Sequence, residues 1–316
     1  MVAFSFLSRK IADFFKTMNN IDSIKINFNQ DQLFLLNICL AFIMFGIALD
    51  LKWSHFKALF QQPKAVFIGL ISQLILLPFL TLLLVAFFRP AASLALGMVL
   101  VAVCPGGNVS NFAVHLAKAN TALSITLTTI STLSAILVTP IYFSLLAPMI
   151  VDKQQISADI FVNPWSMVST IFVLLLIPLI AGMLFSYRFP KWTARIHKPV
   201  SQLSMLIFLG FVLTAAYANM DNIVKYLYLV FILVLAHNAM ALLAGYAWAW
   251  INRLPRADAR AIALETGIQN SGLGLVLIFN FFNGLGGMAM IAAWWGIWHL
   301  ISAFSLATLW RQRKDL

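Results

Sequence analysis

The sequence predicts an all-α polytopic membrane protein of about nine transmembrane helices, two of them broken. Three observations carry that prediction. The 316 residues are 62% hydrophobic and only 10% charged, against about 25% charged in soluble domains. Apolar runs recur that are each long enough to cross ~30 Å of hydrocarbon. Two of these runs are interrupted in the same way, by Val103-Cys-Pro-Gly-Gly-Asn-Val-Ser-Asn-Phe112 and by Leu264-Glu-Thr-Gly-Ile-Gln-Asn-Ser-Gly-Leu273. The alternation over ~10-residue segments that a membrane β-barrel needs is not seen.

Residues 1–31 read as an amphipathic, interfacial start and a polar linker. Phe4, Phe6, Leu7, Ile11, Phe14 and Phe15 stand against Arg9, Lys10, Asp13 and Lys16, the pattern of a helix lying in the membrane plane. Arg9, Lys10 and Asp13 also interrupt any signal-peptide apolar core. The transporter-like part runs over 32–310, with spans expected at about 33–49, 65–88, 93–117, 121–147, 166–185, 200–217, 226–250, 258–281 and 288–309. Residues 311–316 form a short tail.

Charge sets the expected orientation. Fourteen cations fall in one set of loops: Lys52, Lys57 and Lys64; Lys118; Arg188, Lys191, Arg195 and Lys198; Arg253, Arg256 and Arg260; Arg311, Arg313 and Lys314. The opposite loops hold three, Arg89, Lys153 and Lys225. The cation-rich side is expected in the cytoplasm together with the C-terminus, against the vote of four N-terminal cations, Arg9, Lys10, Lys16 and Lys25. Trp53, Trp192, Trp250 and Trp310 at cytoplasmic ends and Trp165 at an outer end fit an interfacial belt. The net charge of +11 therefore has a topological cause and does not point to nucleic acid. Cys39 and Cys104 sit in apolar runs and suggest neither a disulfide framework nor a metal site.

The two interrupted spans occupy corresponding places. Each follows two uninterrupted spans, the third running inward and the eighth outward, so that two sets of four spans form inverted repeats around an unpaired fifth. Paired interruptions of this kind mark a transporter binding site, because irregular backbone at membrane depth survives only when buried in protein or lining a cavity.

Glu265 is the only glutamate in the chain and lies inside the second interruption. An ionisable group there costs roughly 2.5–3.5 kcal/mol on insertion scales and reads as functional. A broken helix offers free carbonyls from its first half and free amides from its second. The carbonyls suit a cation, and the amides with their positive dipole end suit an anion. Ser110, Asn111, Thr266, Gln269 and Asn270 add neutral oxygens, the ligands a hard cation takes. The span from Ala122 to Ser134 is rich in hydroxyls, with Ser124 and Thr128 on one helical face and Ser131 next on it. Packing through small residues is the plainer reading of that face.

These motifs resemble the bile acid:sodium symporter family. The likeness runs from about residue 33 onward and rests on Cys104-Pro-Gly-Gly-Asn-Val-Ser-Asn111, Glu265-Thr-Gly-Ile-Gln-Asn-Ser-Gly272 and the hydroxyl-rich span. Asp50-Leu-Lys, His237-Asn238 and Trp298-His299 also look like family signatures. The resemblance implies that the broken helices cross, inside a core domain (about 65–147 and 226–309) that moves against a panel domain (about 33–49 and 166–217). It implies two Na+ sites. One would use Ser110, Asn111, Ser124, Thr128 and Glu265, and the other Gln73, Glu265, the carbonyls of Thr266 and Ile268, and Gln269. Asn108, Asn270 and His299 would line the site of an amphipathic or small organic anion. Asn108 departs from the threonine of bile-acid-carrying members, which weakens the case for bile acid; sulfonates, pantoate-like anions and other small carboxylates stay open.

The expected activity is Na+-coupled import of an organic anion by alternating access, in a bacterial inner membrane, with lipid as surroundings and no enzymatic step. No Lys or Arg lies within a span core, so two Na+ with one carboxylate would supply the positive field the anion needs. A proton-coupled carrier or exporter using Glu265 as a relay is the alternative. A sensor for a steroid-like anion is a further one, although only seven residues follow the last span. No phosphate loop, zinc spacing or nucleophile triad is present in the sequence, which argues against an ATP-driven pump. His299 beside Trp295 and Trp298 also suits an interfacial belt, His237-Asn238 a polar packing pair, and Gln73 interhelical glue.

Overall fold

The computed structural model describes residues 21–22, 24, 30–49, 62–151, 163–218 and 220–312. Most of the expected amphipathic start and linker over 1–31, Asp50-Leu-Lys and the end of the tail lie outside them. The described residues are helical apart from short connections and one isolated antiparallel bridge between Gly106 and Gln269.

The helices follow the apolar runs. They are α1 (Gln30–Ala48), α2 (Pro63–Phe88), α3 (Ala92–Val103), α4 (Val109–Leu116), α5 (Thr121–Ile150), α6 (Pro164–Arg188), α7 (Pro190–Ala218), α8 (Met220–Ile251), α9 (Arg256–Gly267), α10 (Ser271–Phe281) and α11 (Gly286–Gln312). Among the described residues six segments are long and apolar enough to cross a membrane: α1, α2, α5, α6, Val224–Ile251 of α8, and α11. The shorter apolar helices α3 and α10 belong to the interrupted segments. Large apolar side chains such as Phe67, Phe87, Leu145, Leu184 and Leu243 are exposed, as expected of a surface that meets lipid. The protein is an integral membrane protein.

Prolines mark four of the helices. Pro78 and Pro178 each follow a π-helical turn, Ser72–Leu76 in α2 and Phe172–Leu176 in α6. A proline has no N–H and its ring collides with the carbonyl four residues back, and the wider turn makes room for it. Pro140 and Pro148 are carried inside α5. α7 begins at Pro190, about ten residues before the expected apolar span, because a proline is tolerated in a first turn and a basic surface turn can stay helical outside the hydrocarbon.

Two ends can be told apart. At the basic end, Asn120 ties the α4–α5 turn to Gln62 at 3.0 Å and to Asp258 of α9 at 2.7 Å, and Arg260 stands over the Trp310 ring. At the opposite end, Asp22 accepts from the backbone N–H groups of Ala92 and Ser93, and Ile24 accepts from Gly286 N. These contacts cap α3 and α11 with residues that precede α1.

α1 packs against α6 and α7, and the remaining helices pack chiefly among themselves. α9 lies against α8, and α3 lies against α11 and α5.

Candidate functional site: a buried carboxylate where two interrupted helices meet

Each interruption is written in its local sequence. Pro105 disfavours helical backbone at the residue before it, and Cys104 is extended with φ −69° and ψ 156°. α4 starts after Asn108, whose side chain makes no cap bond. In the second break Ile268 is extended with φ −113° and ψ 104°. α10 starts at Ser271, capped by Asn270 Oδ1, which accepts from Leu273 N at 3.0 Å.

The breaks pair with each other. Gly107 N donates to Ile268 O at 2.9 Å and Asn270 N to Pro105 O at 2.8 Å. Backbone groups that no helix can satisfy at this depth thereby satisfy one another. The pairing brings the chains so close that a Cβ on Gly106 would lie 2.8 Å from Gln73 Nε2 and 3.1 Å from Glu265 Oε2. A Cβ on Gly107 would lie 3.2 Å from Gln269 O. Remaining end groups are met by side chains: Thr139 donates to Val103 O at 2.7 Å, Asn238 Nδ2 to Gly267 O at 2.7 Å, and Gly106 N donates to Ser131 Oγ at 3.2 Å.

Glu265 is fully buried behind this bridge. Ser110 of α4 and Ser124 of α5 donate to its Oε1. Thr128 lies 3.0 and 2.9 Å from the two carboxylate oxygens. Gln73 Nε2 donates to Oε2 at 3.2 Å and to the Glu265 carbonyl at 2.8 Å. Asn111 Oδ1 lies 2.7 Å from Ser124 Oγ and 3.5 Å from Thr128 Oγ1. The π turn in α2 carries Ser72 and Gln73 as its buried residues, and Ser72 Oγ is 2.7 Å from Thr266 Oγ1.

This cluster holds more acceptors than protons. Three hydroxyl protons and one amide proton of Gln73 face two carboxylate oxygens, the Asn111 amide oxygen and the hydroxyls' lone pairs. Beside it, Gln73 Oε1 and Gln269 Oε1 are buried with no hydrogen-bond partner. An unsatisfied buried oxygen costs about 1–3 kcal/mol. One carboxylate with hydroxyl, amide and carbonyl oxygens is the donor chemistry of a hard cation, and the uncompensated oxygens fit such an ion.

Of the residues expected at the first cation site, Ser110, Ser124 and Thr128 reach Glu265, and Asn111 joins them through Ser124 and Thr128. Of the second set, Gln73 bonds Glu265, Gln269 Nε2 donates to Thr266 O at 2.9 Å, and Ile268 O accepts from Gly107. Asn108 is half-buried and lines a small cavity with Ile47 of α1, Asn111, Thr128, Thr129 and Thr132. The cavity measures about 10 Å³, the room of roughly one water. Asn270 is half-buried at the second break, its side-chain oxygen engaged in the α10 cap. His299 is buried on α11 with its Nδ1 unpartnered. Among the described residues no hydrogen bond joins it to Asn108 or Asn270.

Sequence reasoning missed Ser72, Thr139 and the role of Asn238. The sequence marks Asn238 as part of a family signature and as half of a polar packing pair with His237, without its partners. It holds the end of α9 and accepts from Ser302 Oγ at 2.6 Å, while His237 Nε2 lies 2.7 Å from Thr81 Oγ1. Thr81 Oγ1 also lies 2.8 Å from Leu77 O.

A helical membrane protein whose two interrupted segments meet at a buried acid defines the broken-helix class of transporters. Comparison with known proteins narrows that class. The chain belongs to the sodium bile acid symporter family, whose model matches residues 37–226. That stretch contains the first break and stops before the second. The chain is 35% identical over 278 residues to an uncharacterised sodium-dependent transporter, YocS, of Bacillus subtilis, covering 88% of this chain and 83% of the relative. It is 30% identical over 287 residues to a probable chloroplastic sodium/metabolite cotransporter, BASS2, of Oryza sativa subsp. japonica, covering 88% of this chain and 64% of the relative. A probable chloroplastic cotransporter of Arabidopsis thaliana, BASS5, is 30% identical over 289 residues, covering 87% of this chain and 68% of the relative.

Proposed function

We propose that this chain is a sodium-coupled symporter that imports a small organic anion by alternating access, two Na+ moving with each anion. The observation that carries the reading is the oxygen surplus around Glu265, together with the two unpartnered amide oxygens of Gln73 and Gln269. One Na+ would bind among Ser110, Asn111, Ser124, Thr128 and Glu265. The second ion would bind among Gln73, Glu265, Gln269 and the carbonyls of Thr266 and Ile268. The relatives' own descriptions as sodium-dependent transporters and sodium/metabolite cotransporters support the same ion.

The anion is assigned to the amide-bearing starts of α4 and α10, where Asn108 and Asn270 stand at positive helix ends. Loaded cation sites would add the charge that no arginine or lysine supplies there, so each ligand strengthens the other. Asn108 also adjoins the cavity of about 10 Å³ beside Thr128 and Thr132, which would have to widen as the site opens to admit an organic anion. His299 is kept as a lining residue that would come into play when the site opens. Nine spans, with the basic end and the C-terminus in the cytoplasm, complete the topology. α1, α6 and α7 would form the moving panel and the other helices the core.

The driving force is sufficient. A tenfold Na+ gradient supplies about 1.4 kcal/mol per ion, and one net charge crossing 100 mV adds ~2.3 kcal/mol. The experiment is a thermal-unfolding screen of purified protein against organic anions in NaCl and in choline chloride. A ligand that raises the midpoint only with Na+ supports the reading, since a ligand specific to the folded state stabilises it. An anion that stabilises equally in both salts speaks for the proton-coupled alternative.

A further inference from the structure

The buried apolar interior is divided unequally between the two ends. One cluster joins α1 and α6 to the other helices: Leu36, Leu40 and Ile171 are continuous with Phe143, Phe279 and Phe282. Phe143 meets Phe282 edge-on with ring centroids 5.2 Å apart. The second cluster, at the basic end, is built from Val66, Ala113, Leu127, Ile262 and Ala303 with their neighbours. Among the described residues it contains none from α1 or α6. The set made by α1 and α6 is therefore sealed against the rest of the molecule at the end opposite the basic one.

One side-chain hydrogen-bonded pair spans that seal between α1 and α10. Asn280 Nδ2 donates to Asn37 Oδ1 at 3.0 Å, and Asn37 Nδ2 donates back to Asn280 Oδ1 at 3.4 Å. Asn280 stands in the last turn of α10, the half-helix that starts at the second break. Its Nδ2 also donates to Val276 O at 2.8 Å, which fixes the amide's direction. A shift of the half-helix against α1 must therefore part the two amides. The pair is half-buried: parted within the closed seam the amides would lose bonds that little water replaces, and parted in an opened crevice they would be hydrated. The pair thus favours the closed arrangement by a modest amount, suited to a step repeated in every cycle.

We propose that Asn37 and Asn280 form a latch that holds the end opposite the basic loops closed and sets the balance between the two access states. This rests on the alternating-access reading above. The same pair acting only as packing glue would hold the fold together without changing how often the seam opens.

The test is the reactivity of a cysteine placed under the latch. The reporter is Leu40→Cys, buried on α1 one turn from Asn37, in protein whose native thiols are removed by Cys39→Ser and Cys104→Ala. Purified protein in nanodiscs is treated with a water-soluble maleimide, without Na+ or substrate. Asn37→Ala or Asn280→Ala is expected to raise the modification rate roughly threefold to tenfold, the range of one interhelical hydrogen bond in a membrane. The double variant is expected to exceed the stronger single variant by little, because both remove one interaction. Unchanged rates in variants that elute and unfold like their parent overturn the latch, and so do fully additive effects.

If an alanine variant fails to fold, Asn37→Cys with Asn280→Cys is joined by a short, reducible bifunctional thiol reagent. Arrested uptake that returns on reduction supports the latch, and full transport through the cross-linked protein overturns it. The thiol rates need neither ion nor substrate. Na+-independent uptake with altered rates would sink the symport reading alone, and Na+-driven uptake with flat rates would sink the latch alone.

Discussion

Gln73 holds Glu265 by both its backbone and its side chain, with Nε2 2.8 Å from the Glu265 carbonyl and 3.2 Å from the carboxylate Oε2. Its own Oε1 is buried and unpartnered. Both amide hydrogens are thereby directed toward the acid, and the amide oxygen is left for something else. Gln73→Leu removes that oxygen and leaves the Ser110–Ser124–Thr128 face intact. The steepness of Na+-dependent uptake is predicted to fall from a Hill slope of about two toward about one, as for loss of one of two coupled sites. An unchanged slope would remove Gln73 from ion binding.

Ser110 and Thr128 approach the same carboxylate from α4 and α5. Replacing either by alanine deletes one oxygen from the first ion's shell. A hydrogen-bonding partner of this kind contributes about 1–1.5 kcal/mol, so the Na+ concentration for half-maximal uptake should rise roughly fivefold to tenfold. An unaltered Na+ titration in either variant would exclude that hydroxyl.

Gly106 is required by proximity. Its φ is not in the left-handed region, but a methyl group there would press on Gln73 Nε2 at 2.8 Å and on Glu265 Oε2 at 3.1 Å. Gly106→Ala is predicted to displace Gln73 and cost about 1–3 kcal/mol. The readout is thermal unfolding with and without Na+: a lowered midpoint together with a lost Na+ response is expected. A variant that keeps the parental Na+ response would show that the bridge tolerates expansion.

Asn238 joins α8 to the end of α9 through Gly267 O and to α11 through Ser302. Asn238→Leu removes both bonds and leaves the Gly267 carbonyl bare. Interhelical bonds in membranes average ~0.6 and reach ~1.7 kcal/mol, so a loss of about 1–3 kcal/mol is expected in unfolding experiments. Stability equal to the parent's would mean that the second break is held by its pairing with the first alone.

Asn108 stands at the start of α4 without a capping bond, facing the cavity beside Ile47 and Thr132. Asn108→Thr should change the rank order of transported anions and leave the Na+ titration within about twofold of the parent's, because the residue is assigned to the anion and not to the ions. The reverse pattern would reassign it.

How far these features can be read from sequence depends on how local their causes are. Pro105, the paired glycines and Asn270 break and restart helices by nearest-neighbour chemistry, so both interruptions were legible within a residue or two. Ser124 and Thr128 share a face by helical spacing alone, and the structure turns that face to Glu265. The start of α7 at Pro190 was not legible, since hydropathy reports the hydrocarbon and not the helix. Neither were the π turns ahead of Pro78 and Pro178, because a lone proline signals a kink without saying how the helix absorbs it. Thr139, Asn238 and the Asn37–Asn280 pair draw their meaning from partners that only packing brings near, 36, 29 and 243 residues away.

The most direct test of Na+ coupling through Glu265 is the Na+ dependence of uptake by Glu265→Gln in proteoliposomes, in protein that inserts and elutes like the parent. The amide keeps the side chain's shape and most of its contacts but removes the charge that both ions would share. Uptake that no longer responds to a Na+ gradient, together with loss of Na+-dependent thermal stabilisation, is the predicted result. A parental Na+ titration in that variant would contradict it.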